Sequence, residues 1–251
     1  MKSLQIERIL GKARNRVYRV GVELEGGWRR LSPGVSLARD GSVKIPPEYV
    51  AVQDIQPDGT FLKLVRIAIG ELQSEPLPVE KLAGWVKQYY PHRVNETCGL
   101  HVHMSFASAR HYQMLMVPEF QATILKYVKR WAKVEALEPD HPIWARLSGE
   151  YEHCTNHFWP DLQAKANNKD YDKLREGNRY TAINYCFNMN STIECRLLPM
   201  MDTPALGIRA IQQVIDITNA SLVVLAEREE KVSAQVLDNG DTEEEGACVY
   251  V

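Results

Sequence analysis

The chain has 251 residues, of which 45% are hydrophobic and 25% charged, and its formal net charge is −2. This length allows one large domain or two small ones with a substantial core, and the proportions are those of a soluble globular protein. A net charge so near zero gives no electrostatic reason to expect nucleic acid or acidic membranes as the main partner of this chain. The N-terminus has no signal-peptide segment and no run of about eighteen apolar residues occurs, so we expect a cytoplasmic protein. Five cysteines without a Cys-x-x-Cys pair indicate reduced thiols.

Most elements predicted in the first half of the chain are strands. Alternating apolar residues predict a strand over 17–25 that stops at two glycines, and turn residues from 32 to 59 predict a meander of short strands. We expect a further strand over 60–71, a short helix over 79–90 and a strand over 98–106.

The second half has more helix. Apolar residues at helical spacing predict a long helix over 118–137, whereas 138–180 has no clear period and is interpreted as an irregular insertion near the site. Two strands over 182–188 and 192–198 are joined by a predicted hairpin turn. A last helix over about 204–229 leads towards an acidic tail at 238–251, and residues 1–237 are interpreted as one domain.

Three pairs of reactive side chains lie two residues apart within strand-like apolar runs. They are Glu23 and Glu25, His101 and His103, and Glu194 and Arg196. Residues i and i+2 of a strand leave the same face, so each pair points away from its apolar neighbours. Buried charge is costly unless a metal, a cation or hydrogen bonds compensate it. We therefore expect one shared site, of a composition that suits metal ions holding an anionic substrate such as a nucleotide phosphate.

Each pair also has an ordinary interpretation. The two glutamates are compatible with the exposed end of a strand, one histidine with a hydrogen-bonded core position, and Glu194 with a simple ion pair to Arg196. A zinc site is a further alternative, because short spacings bring together Cys98, His101 and His103, and further along His153, Cys154 and His157. That alternative leaves the glutamates unexplained. No glycine-rich phosphate-binding fingerprint is present.

Six motifs, taken in order, resemble the amidoligase family. They are GVELE at 21–25, DGSV at 40–43, GELQSEPL at 70–77, VNETCGLHVH at 94–103, RYTAIN at 179–184 and TIECR at 192–196. The resemblance covers about residues 17–226, and its order is more specific than any single motif. This family is similar to the wider group of carboxylate-amine ligases that includes glutamine synthetase and glutamate-cysteine ligase. The resemblance implies an α+β fold, with a curved and mainly antiparallel sheet flanked by helices.

The resemblance also implies a set of metal ligands. By analogy with glutamine synthetase, Glu25 and Glu71 would bind one Mg²⁺ or Mn²⁺ ion. Glu23, His101 and Glu194 would bind a second ion. Carboxylates with one imidazole suit these hard cations better than thiolates do.

Further residues are implied in contacts with substrates. His103 and Arg179 would bind the phosphates of ATP, and Arg196 would hold the carboxylate of the acceptor substrate. Asn184 is implied in a polar contact within the site, and Asp40 in either a substrate contact or a turn.

The implied activity is an ATP-dependent, ADP-forming ligase. Transfer of the γ-phosphoryl group would activate a carboxylate as an acyl phosphate, and an amine would then displace phosphate to form an amide or isopeptide bond. The partners implied are a carboxylate and an amine substrate, without nucleic acid or membrane, and a homo-oligomer is left open. An inactive relative that serves as a binding or structural protein is an alternative.

The chain departs from the glutamine synthetase pattern in two places. An additional metal carboxylate has only Glu75 and Glu96 as candidates, and Thr192 stands where a further phosphate-binding arginine is expected.

Overall fold

The structure is a computed structural model that describes residues 2–56, 59–158, 180–186 and 192–240, with backbone alone over 51–56, 59–64 and 236–240. It is a mixed α and β fold, with a mainly antiparallel open sheet and flanking helices, as the sequence predicts. The strands are β1 (Val17–Trp28), β2 (Tyr49–Gln56), β3 (Gly59–Arg66), β4 (Ala68–Gln73), β5 (Gly99–Phe106), β6 (Ile183–Cys186) and β7 (Thr192–Pro199). The helices are α1 (Val79–Tyr89), α2 (Ala109–Met114), α3 (Pro118–Val134), α4 (Ile143–Ser148) and α5 (Pro204–Gly240).

The main sheet has the strand that carries both histidines at its centre. Its five strands run in the order β4-β1-β5-β7-β6, and each neighbouring pair is antiparallel. Strand β5 therefore lies between β1, which carries Glu23 and Glu25, and β7, which carries Glu194 and Arg196. This order explains why pairs distant in sequence meet in space.

One face of this sheet is the hydrophobic core. Along β1 the apolar residues Val20, Val22 and Leu24 are buried, and they alternate with the polar positions. Helices α1, α2, α4 and α5 contact the sheet, and α3 packs against α4 and α5. The predicted apolar stripe of α3 is buried, except that Val134 is 76% exposed.

The N-terminal segment of the chain packs against helix α3 and is hydrogen-bonded to it. Leu4 and Ile6 are fully buried, and the Leu4 N–H donates to Thr123 Oγ1 at 2.7 Å. The Thr123 hydroxyl in turn donates to the carbonyl of Glu119. A buried threonine thus joins the N-terminal segment to the helix layer.

Several predicted element boundaries are wrong. Strand β1 does not stop at Gly26 but continues to Trp28. The single strand predicted over 60–71 is two strands, because β3 pairs with β2 in a separate hairpin whereas β4 pairs with β1. Of the meander predicted from 32 to 59, the described residues before β2 form only an isolated bridge between Ala38 and Glu71. The short helix α2 has no counterpart in the prediction.

Helix α5 is longer than predicted, since it runs to Gly240 rather than to about residue 229. The first three residues of the predicted acidic tail therefore belong to this helix, and 241–251 lie outside the described residues. By length and composition Pro204–Gln235 resembles a membrane-spanning helix, with a hydropathy of 1.2. However, 56% of the 18-residue window that has this hydropathy is buried within the protein, as in a core helix, so this helix is weak evidence for a membrane protein.

Candidate functional site

The polar residues of the three pairs lie on the face of the sheet opposite the core. In an antiparallel sheet, directly opposed residues share a face. Glu23 is opposed to His101, and His103 is opposed to Glu194. The edge strands extend these two rows, with Gln73 opposite Glu23 and Asn184 opposite Glu194. Glu71 opposite Glu25 forms a third row.

His101 is at the centre of this face and is only 2% exposed. Its Nδ1 lies 2.9 Å from Glu23 Oε2 and 3.5 Å from Glu194 Oε1. Its Nε2 lies 3.8 Å from Glu25 Oε1. One buried imidazole therefore contacts carboxylates from both neighbouring strands.

Gly99 allows the imidazole to lie this close to strand β5. A Cβ at this position would lie 2.4 Å from His101 Nε2 and 3.1 Å from Glu25 Oε2. The Gly99 N–H also donates to Glu25 Oε2 at 2.5 Å. The glycine therefore makes room for the ring and orients the glutamate beside it.

The carboxylates of this face differ in their affinity for protons. Burial opposes ionisation of Glu23, but hydrogen bonds and charge from His101 and His103 lower its pKa well below the usual range. Burial and the negative charge of Glu23 raise the pKa of Glu71 to about 7. Neighbouring carboxylates with such different pKa values are characteristic of functional sites and of metal sites without their ion.

His103 holds its proton strongly. Burial opposes the charged form, yet the contact with Cys186, the contact with Glu23 and the charge of Glu194 raise its pKa to about 11. Its Nε2 lies 2.9 Å from Glu23 Oε1 and 3.9 Å from Glu194 Oε1. The same negative field that retains this proton would attract a cation.

Glu194 is held from both sides. The guanidinium of Arg196 donates to Glu194 Oε1 at 2.5 Å, and the amide of Asn184 donates to Oε2 at 2.7 Å. The Nε atom of Arg196 is buried and has no hydrogen-bond partner within the described part of the chain. Arg196 therefore keeps an unsatisfied buried N–H donor, which an anionic group within hydrogen-bonding distance would satisfy.

Asp40 approaches the site from the segment that pairs with strand β4. Its Oδ1 accepts hydrogen bonds from the N–H and the hydroxyl of Ser42, both at 2.7 Å. Burial would raise the pKa of Asp40, but these bonds and the charges of His101 and Arg196 lower it overall. Of its two expected roles, the structure contains the turn contact.

Among the described residues, three groups bring metal-ligand atoms within 4.8 Å of one another. They are Glu23, His101 and Glu194; Glu25, Glu71 and His101; and His103, Cys186 and Glu194. The first is the set implied for one metal ion, and the second contains the pair implied for the other. Within the described residues, four glutamates share this face with Arg196, and hard divalent cations suit their oxygen-rich donors.

The remaining predicted residues and alternatives have different outcomes. Arg179 is outside the described residues, as are the predicted hairpin turn and most of the second half of the insertion. Glu75 and Glu96 are exposed and belong to none of the three groups. Within the described residues, neither therefore supplies the additional metal-binding carboxylate. Cys98 and Cys154 of the zinc alternative belong to none of the three groups among the described residues. Burial raises the pKa of Cys98 to about 11, which disfavours the thiolate that zinc requires.

Three residues of the site were not identified from the sequence. Gln73 donates to Glu71 Oε1 at 2.5 Å and to Glu23 Oε1 at 3.3 Å, and it obeys the same two-residue spacing on β4. Cys186 bears the same relation to Asn184 on β6. The role of Gly99 could not be identified from the sequence, because it depends on how closely the His101 ring packs against this residue.

Comparison of the chain with models of protein families and with curated proteins found no match.

Proposed function

We propose that the protein is an ATP- and metal-dependent carboxylate-amine ligase. The observation that carries this proposal is the pair of carboxylate groups that share His101 on one sheet face, with the partly buried Arg196 beside them. The order of the six motifs supports the same function.

The chemistry of the face suits phosphoryl transfer. This reaction asks a protein mainly to position reactants and to neutralise charge on the transferring group. Divalent cations held by Glu23, Glu194, Glu25 and Glu71 would supply that neutralisation when bound. No thiolate or serine nucleophile is required.

The residues of the chain have separate tasks in this proposal. Glu194 is oriented by Asn184 and by Arg196. The free donor capacity of Arg196 is suited to a planar carboxylate, which a guanidinium binds in a fork geometry. His103 would offer a ring N–H donor to phosphate oxygens, and the neighbouring Glu23 and Glu194 raise its pKa and so favour its protonated form.

Calorimetric titration with ATP and Mg²⁺ tests the proposal. We expect the wild type to bind the nucleotide only with the metal, and Glu23→Gln and Glu194→Gln to weaken that binding about a hundredfold, or by about 3 kcal/mol. Glu48→Gln is the matched control, because this glutamate pairs with Arg93 on the surface. If the wild type binds no Mg²⁺-nucleotide, the ligase proposal is wrong.

Binding alone does not separate an active ligase from an inactive relative. Candidate acid and amine pairs are therefore added to the wild type with ATP, and both ADP and the condensed product are measured by mass spectrometry. Amide formation that requires all three substrates supports the ligase. Nucleotide binding without product from any pair would favour the binding protein, and stoichiometric zinc that is lost in Cys98→Ser would favour the zinc alternative.

A further inference from the structure

Cys186 lies against the carboxylate groups and has no task in the proposed function. It is the last residue of β6 and is partly exposed, whereas Cys98, Cys154 and Cys195 are fully buried. Its Sγ lies 3.9 Å from Glu194 Oε2. The amide of Asn184 lies 3.5 Å from the same sulfur atom.

The sulfur atom completes a mixed ligand set with His103 and Glu194. One ligand atom from each residue lies within 4.8 Å of the other two. Tetrahedral zinc with sulfur, nitrogen and oxygen ligands needs these atoms about 3.5 Å apart. Cys186 Sγ lies 3.9 Å from Glu194 Oε2, and His103 Nε2 lies 3.9 Å from Glu194 Oε1. A cation held by one oxygen of Glu194 therefore requires the three side chains to approach one another by up to about 1 Å from the 4.8 Å limit.

The donor types differ from those of the other two groups. Thiolate and imidazole ligands favour zinc and similar borderline or soft cations, whereas carboxylates alone favour magnesium and manganese. Three protein ligands with an open fourth position are also the usual arrangement of reactive rather than structural zinc. The local chemistry therefore discriminates between classes of cation within one sheet face.

We propose that His103, Cys186 and Glu194 form a binding site for a thiophilic divalent cation of the Zn²⁺ class. Binding would release the thiol proton of Cys186 and the proton carried by His103 to solvent, so that sulfur and nitrogen both bind as lone-pair donors. The site is distinct from the zinc alternative based on Cys98, because Cys186 lies on β6, whereas Cys98 precedes β5 and joins none of the three groups among the described residues.

The proposed cation site shares residues with the proposed ligase site. Glu194 belongs to both, and His103 would no longer be available to phosphate oxygens. Zinc at this position is therefore expected to compete with Mg²⁺-nucleotide binding. Only this consequence rests on the proposed function; cation binding at Cys186 does not.

Titration with Cd²⁺ in place of zinc tests the site directly. Cadmium bound to a thiolate has an ultraviolet charge-transfer band, so the readout does not depend on enzyme activity. We expect the wild type to develop this band at one equivalent, and Cys186→Ser to lose it with about a hundredfold or greater loss of Cd²⁺ affinity. Cys248→Ser is the control for the cysteine outside the described residues, and it should keep the band.

Two further variants make the result decisive. Cys186→Asp keeps a ligand but replaces sulfur by oxygen, so we expect it to bind Mn²⁺ in preference to Cd²⁺, with folding checked by circular dichroism. Glu23→Gln should weaken Mn²⁺ binding and keep the cadmium band, which separates this site from the proposed ligase metals. A band of wild-type strength in Cys186→Ser, or cadmium bound by the wild type without a thiolate band, would overturn the proposal.

Discussion

Substitution of Gly99 by alanine should disrupt the metal groups without removing any ligand. The added Cβ would lie 2.4 Å from His101 Nε2, whereas ordinary contacts begin at 3.4 Å. The ring must therefore move by about 1 Å, which exceeds the tolerance of about 0.2 Å for a metal-ligand distance. It has little freedom to move, because His101 is 2% exposed and carboxylates from both neighbouring strands surround it.

We expect Gly99→Ala to lower the Mn²⁺ affinity about a hundredfold, which corresponds to about 2.8 kcal/mol of binding free energy. The same overpacking should lower the free energy of unfolding by about 1–3 kcal/mol. Calorimetric titration measures the first quantity, and urea denaturation of the metal-free protein measures the second.

Gly84→Ala is the matched control. Gly84 is an exposed residue of α1, and a Cβ at this position would meet no described atom within 4 Å apart from its chain neighbours and the backbone of its own helix. This variant should keep the wild-type Mn²⁺ affinity and gain up to about 1 kcal/mol in stability from helix propensity. If Gly99→Ala binds Mn²⁺ within twofold of the wild type, the close packing of His101 does not determine metal affinity and the reasoning is refuted.

Two further predictions follow from the pKa of Glu71 and from the buried hydroxyl of Thr123. The pKa of Glu71 is raised to about 7, so below that pH a proton competes with a cation for this carboxylate. The Mn²⁺ affinity measured by calorimetry should therefore fall by up to about tenfold for each pH unit below 7. The Glu71→Gln variant should bind Mn²⁺ more weakly and with a smaller dependence on pH. An equally steep pH dependence in the variant would show that another group binds the competing proton. Thr123→Val leaves the N–H of Leu4 without its acceptor and should lower the free energy of unfolding by about 1–2 kcal/mol in urea. Thr218→Val is the control, since that buried hydroxyl bonds only a carbonyl of its own helix within the described chain, and an equal loss in both variants would contradict the role of the Leu4 bond.

The sequence was sufficient to predict which face of each strand carries the polar residues. Spacing of two residues determines the face, and this rule places Glu23, His101 and Glu194 on the polar faces of their strands whatever the strand order. It does not determine strand order, which depends on pairings between residues as distant as His103 and Glu194. Convergence on one site was therefore an expectation, and the central position of β5 is the physical reason that it occurs.

The wrong strand boundary at Gly26 also has a physical cause. Paired glycines were interpreted as a turn, but a Cβ on Gly26 would lie 2.5 Å from Pro91 and 2.9 Å from the carbonyl of Arg93. The glycine allows a second segment to approach the strand closely, so the strand continues past it. Local sequence does not distinguish a turn from such an approach, because the partner segment lies more than sixty residues away.

The break within the strand predicted over 60–71 depends on distant partners as well. The apolar residues continue across Ile67 without a turn signal, while the backbone changes from pairing with β2 to pairing with β1. The N–H of Ile67 donates to the carbonyl of Glu48 at the point of change. Glu71 is a candidate site residue only through the family resemblance, because no other titratable residue lies two positions from it on the same strand.

The position of His101 between two carboxylate groups limits how both can be filled. In a neutral imidazole one ring nitrogen carries a proton and the other has a lone pair that can bind a cation. The two tautomers differ in which nitrogen carries the proton. Its Nδ1 faces Glu23 and Glu194, whereas its Nε2 faces Glu25. If Nδ1 binds a cation, the N–H at Nε2 points to Glu25, and the group formed with Glu71 is left with oxygen ligands only. The two groups are therefore unequal: a single proton on one ring decides which cation has a nitrogen ligand and which is held by carboxylates alone.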